Sequence, residues 1–91
     1  QSYVTDNILE ELSAATTKLT ETEQQVKTAR ENMTLAEENL DLVTFSYNEG
    51  KASMVDVLSA QLSWTQAHTN LIDAYLAEKM AVAEYWKVVS E

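Results

Sequence analysis

The chain has no cysteine, no proline and a single glycine, Gly50. Without cysteine, disulfides and thiolate metal sites are excluded, and the redox compartment stays open. Without proline, Gly50 is the one strong breaker of a helix in 91 residues. No apolar run approaches the roughly 20 residues needed to cross a bilayer as a helix, and no signal-peptide pattern opens at Gln1. Beginning on Gln1 rather than Met, the chain is expected to be a processed product or an excised piece of something longer. Basic residues are few, 6 against 15 acidic for a net charge of −9, and they form no cluster. Nucleic acid and anionic lipid surfaces are therefore poor partners. The acids concentrate before Gly50, ten against Lys18, Lys27 and Arg30, a bias whose commoner meaning is a solvated face.

What the chain does have is a seven-residue rhythm. Ile8, Leu12, Ala15, Leu19, Thr22, Val26, Ala29, Met33, Ala36, Leu40, Val43 and Tyr47 alternate by four and three, a coiled-coil seam. Within it larger residues alternate with mostly small ones, which lets two helices approach closely and interdigitate. After Gly50, Ala60, Ala67, Ala74 and Ala81 recur every seven between Val57, Trp64, Leu71, Glu78 and Tyr85, a matching face. A second, less apolar stripe runs beside it through Leu58, Gln61, Thr65, His68, Ile72, Tyr75, Lys79, Val82, Trp86 and Val89. Two adjacent seams on one helix call for more than one neighbour. No segment alternates with period two, so no strand is expected.

The spacing predicts an all-α fold: a single helical hairpin over residues 1–91, with helices of about 4–48 and 54–90 around a tip at 49–53. Each arm of about 40 residues spans roughly 60 Å. Local chemistry defines the tip. Gly50 can take the left-handed conformation just past a helix end. Ser53 can accept from the N–H groups that open the second helix, and Asp56 at its third position suits the positive end of the dipole.

Little in the chain suggests chemistry. His68 has no glutamate three residues before it, as a helical carboxylate–histidine metal motif requires, and is expected to be partly buried or interfacial. Glycine-rich phosphate loops and nucleophile elbows are absent. Acid pairs such as Glu37 and Glu38 fall on an exposed flank, where no pocket raises a pKa. No cofactor, no metal and no enzymatic activity are expected. Trp64, Trp86, Tyr75 and Tyr85 lie on apolar stripes and are read as packing. Tyr47, beside the tip, can either plug the hairpin's end or present its hydroxyl to water or a neighbouring chain.

Taken together, Ala36-Glu-Glu-Asn-Leu40, Tyr47-x-x-Gly50, Ser53-Met-Val-Asp-Val-Leu58-x-Ala60, Leu62, Ala67, Leu71, Ala74 and Tyr75 resemble the C-terminal-half hairpin of TolC-like outer-membrane efflux proteins. The resemblance covers most of residues 30–86 and is most specific around the tip. It implies a homotrimeric channel with a barrel in the outer membrane and a helical tunnel across the periplasm, to which this segment would contribute without touching the membrane. The tips of such hairpins form the periplasmic entrance and meet a membrane-fusion adaptor protein that links the tunnel to an inner-membrane pump. The implied function is passive export of drugs, toxins or proteins.

By position, Tyr47 resembles a tyrosine that helps hold the entrance closed, and Asp56 an acidic lumen residue able to attract cations. Gly50, Lys51, Ala52, Ser53, Val57 and Leu58 fall at the turn and at the expected adaptor contact. Ala52 stands where well-known members place an arginine, and Ser59 near where they place a second acid. That leaves the tyrosine without its arginine partner and the aspartate alone. The alternative reading is a coiled-coil interaction or scaffold module, for which any tip with a glycine and caps would serve. Under either reading, the exposed second stripe leads us to expect the isolated chain to self-associate into a helical bundle.

Overall fold

The computed structural model describes the backbone of residues 2–90 and the side chains of residues 9–90. Two helices account for nearly all of it, α1 over Ser2–Asn48 and α2 over Met54–Ser90, with no strand among the described residues. They fold back on each other as a rod measuring 73 × 15 × 13 Å. The molecule is thus a long antiparallel hairpin only two helices thick.

The seams meet as their spacing requires. On α1, Ala15, Thr22, Val26, Ala29 and Met33 are buried, and Leu12, Leu19, Ala36, Leu40 and Val43 are half-buried. On α2, Val57, Ala60, Ala67, Ala74 and Ala81 are buried, and Trp64, Leu71, Glu78 and Tyr85 are half-buried. Ile8, which begins the first seam, lies outside the described side chains. Residues that line common grooves fix the register: Val43 lies level with Ala60, Ala36 with Ala67, Ala29 with Ala74 and Ala15 with Val88. Small residues therefore face small ones, and the layers between them hold the large residues. Every second layer draws the two backbones together, and the large layers fill the volume between.

Thr22 is the most buried side chain, only 1 % exposed. A hydroxyl there must find a partner, and it donates back along its own helix to the carbonyls of Lys18 at 3.0 Å and Leu19 at 2.9 Å. The buried polar group is satisfied without any contribution from α2.

The unequal seam positions give the rod two different faces. Four shallow grooves lie on one of them, lined by Glu11, Lys18, Gln25, Asn32, Asn39 and Ser46, each seven residues after the last. Their floors are the seam alanines, whose side chains are too small to fill the space between the helices. On the other face the large seam residues rise between the helices. There Arg30 Nε donates to the Tyr75 hydroxyl at 2.8 Å, with its guanidinium 5.3 Å from the Tyr75 ring centroid. This clasp joins the two arms beside the level alanine pair Ala29 and Ala74.

Candidate functional site at the hairpin tip

The turn is built almost entirely from backbone and one pair of side chains. Gly50 has φ +77°, the left-handed conformation that halts α1. The Gly50 N–H then donates to the Tyr47 carbonyl at 3.0 Å, and the Lys51 N–H donates to the Ser46 carbonyl at 2.8 Å. These two bonds satisfy carbonyls that the helix end would otherwise leave open, the double closure of a Schellman motif. Three residues later the start of α2 is capped reciprocally. The Asp56 N–H donates to Ser53 Oγ at 3.2 Å, and the Ser53 N–H donates to Asp56 Oδ2 at 3.0 Å. The turn is locked from both sides.

The sequence-expected site residues all fall within this tip but differ in what they present. Tyr47 is 39 % exposed, so it does not plug the end of the hairpin. Gly50, Lys51, Ser53, Asp56 and Leu58 are exposed, Ala52 is half-buried, and Val57 is turned into the seam and buried. Around them the tip shows an apolar rim: Phe45, Met54, Val55 and Leu58 are at least half exposed. A shallow groove of mixed lining runs back from the turn, with Asn39, Ser46, Lys51, Asp56, Ser59 and Ser63 beside Leu42, Val43, Ala52 and Ala60. The site can offer hydroxyls, one carboxylate, one ammonium and apolar contact area. It holds no enclosed space in which a substrate could be desolvated.

Asp56 is occupied in a structural task. One carboxylate oxygen accepts the Ser53 N–H, and the helix dipole at the start of α2 favours its charge. Its exposed position leaves the remaining lone pairs to solvent or to cations. His68 is exposed rather than partly buried; it stacks on Trp64, one helical turn earlier, with ring centroids 5.2 Å apart and planes within 9°. Among the described residues, no group of three His, Asp or Glu side chains is placed to hold a metal ion.

Two features escaped the reading of the sequence. The Arg30–Tyr75 clasp was legible in principle, because both residues follow level seam alanines, but it required the antiparallel register to be known first. The second feature is the composition of the outer stripe on α2. Its apolar members are Leu58, Leu62, Ile72, Leu76 and Trp86, all 47 % to 71 % exposed. Leu62 and Leu76 widen the expected stripe, whose Val82 and Val89 are exposed as well. Of the expected stripe only Tyr75 is half-buried; its other members are exposed. Trp86, expected as packing, is 60 % exposed, with Tyr85 edge-to-face 6.1 Å away.

No family model matches this chain, and searches of the curated proteins and of the solved structures likewise find no match.

Proposed function

We propose that this hairpin is a wall element of a trimeric outer-membrane efflux or secretion channel, with its tip at the periplasmic entrance and against an adaptor protein. The observation that carries the reading is the tip: the order Tyr47, Gly50, Ser53, Asp56, Leu58 resembles that of TolC-like hairpins and builds a turn locked at both helix ends. The outer stripe on α2 supports it, because a helix that is apolar on two faces suits a wall in which every hairpin has neighbours.

In this role the chain does no catalysis. It supplies a stiff rod in the periplasm, and substrates such as drugs, toxins or proteins pass along the assembled conduit, driven by an inner-membrane pump. In this reading Tyr47, which is exposed, bonds across the closed entrance, and the exposed Asp56 draws cations toward it. Lys51 and Leu58, exposed at the turn, offer charge and apolar area to the adaptor.

A second reading has one specific observation in its favour. Asp56 and Gly50 are both accounted for by folding alone, which suits a coiled-coil interaction or scaffold module whose tip is only a turn. The conservative pair Tyr47→Phe and Asp56→Asn separates the two. Asparagine keeps an oxygen for the Ser53 N–H while removing charge, and phenylalanine removes only the hydroxyl. In the full-length protein in planar bilayers, the channel reading expects a raised closed-state conductance for Tyr47→Phe and weaker cation selectivity for Asp56→Asn. Wild-type conductance, selectivity and adaptor cross-linking in both variants would favour the scaffold.

A further inference from the structure

We infer that this hairpin has a second register one heptad away, and that the Arg30–Tyr75 clasp and the tip, rather than the seam, hold the arms in the register observed. The seam itself does not choose. Both arms repeat small and large residues every seven positions, so sliding α2 by one heptad along α1 returns small to small and large to large. Ala36 exchanges Ala67 for Ala60, Ala29 exchanges Ala74 for Ala67, and Thr22 comes level with Ala74. Thr22 accepts any small neighbour, because its hydroxyl is satisfied within α1. The large residues follow, with Met33 level with Trp64 and Val26 with Leu71. The layer of Val43 with Ala60 is lost at one end, and Ala15 meets Ala81 at the other. Packing that is equivalent in both registers cannot decide between them.

Two contacts outside the seam do decide. Among the described residues, the bond from Arg30 Nε to the Tyr75 hydroxyl, at 2.8 Å, is the one side-chain hydrogen bond that joins the arms. After the slide Arg30 stands level with His68, and that bond is gone. The turn would also fall three to four residues earlier in the chain. It would give up the left-handed Gly50, the bonds to the Tyr47 and Ser46 carbonyls, and the reciprocal cap of Ser53 and Asp56. Polar contacts set register in this way in coiled coils whose apolar layers leave it open. The slide carries one arm past the other by about 10 Å at 1.5 Å per residue. A pull on the tip, or displacement of Arg30, would therefore be felt at the far end of the rod. The inference holds under either reading of the function.

The absence of cysteine lets disulfides report the register. Ala36→Cys with Ala67→Cys reads the observed register, in which the two positions lie level. Ala29→Cys with Ala67→Cys reads the second one; in the observed register that pair stands about 10 Å apart, beyond the reach of a disulfide. Both pairs are oxidised in the dilute 91-residue chain, and the rates of intrachain linking are compared with and without Arg30→Ala. The second pair is expected to link slowly beside the first in the native background. Arg30→Ala should raise its rate relative to the first pair about two- to tenfold, the equivalent of one hydrogen bond. Leu71→Ala removes seam volume from both registers alike and should leave that ratio unchanged. A ratio unmoved by Arg30→Ala would overturn the proposal. So would an equal rise with Leu71→Ala, which would mean that the second pair links through unfolding.

Discussion

At the scale of single residues, the tip separates backbone requirements from side-chain ones. A Cβ at Gly50 would meet nothing within 4 Å, so the objection to any other residue there is its φ of +77° alone. Gly50→Ala is therefore expected to cost about 1–2 kcal/mol in urea unfolding, with no clash to relax. Gly50→Asn should cost less, since asparagine tolerates this conformation. Ser53→Ala is expected to cost about 1 kcal/mol. Because Ser53 and Asp56 bond to each other's backbone, the double variant Ser53→Ala with Asp56→Ala should cost less than the two single losses added. Full additivity would mean that the two caps act independently. These residues were legible from the sequence because capping is local: the bonds join neighbours three to five positions apart, and residue type decides them. Tyr47 was less legible. Its seam position pointed inward, but it is the last residue of that seam before the turn, and it emerges exposed.

At the scale of the helices, the hairpin's thickness is set by its alanines. Ala36 and Ala67 lie level in the seam, so Ala67→Leu adds volume where the backbones are closest. It is expected to lower stability by about 1–3 kcal/mol. Leu62→Ala, one helical face away and 71 % exposed, should change stability by less than about 0.5 kcal/mol at concentrations where the chain is monomeric. Equal losses from the two variants in dilute thermal unfolding would contradict the assignment of faces. The seams were readable because a heptad is a property of one strand of sequence. The Arg30–Tyr75 clasp was not, since it is a contact between residues 45 apart and depends on how the arms register. Tyr75→Phe should keep the ring beneath the guanidinium and lose only the hydroxyl's bond, a cost of about 0.5–1.5 kcal/mol.

At the scale of the molecule, the two helices are unlike. α1 has an apolar seam and a back on which acids alternate with the exposed Leu35, Leu42 and Phe45, whereas α2 has an apolar seam toward α1 and a longer apolar stripe away from it. A rod two helices thick cannot cover that second stripe by itself, and large exposed apolar stripes mark surfaces meant for a partner. The need for a second neighbour was visible in the sequence, and so were Leu58, Ile72, Val82, Trp86 and Val89, but not Leu62 and Leu76. Gln61 and Leu62 are adjacent in the chain, and only the direction in which α1 lies decides which of them points outward. Both a tunnel wall and the self-association expected of the isolated chain would bury this stripe. Salt should favour either assembly by screening the charge of −9.

The most direct measurement of that claim is the rate of maleimide labelling of single cysteines on the two backs, Ile72→Cys on α2 and Glu38→Cys on α1, in the assembled protein. Slow labelling at 72 beside fast labelling at 38 is expected if the outer stripe of α2 is the covered face. Equally fast labelling at both positions would show that the stripe stays open to water, contradicting the account.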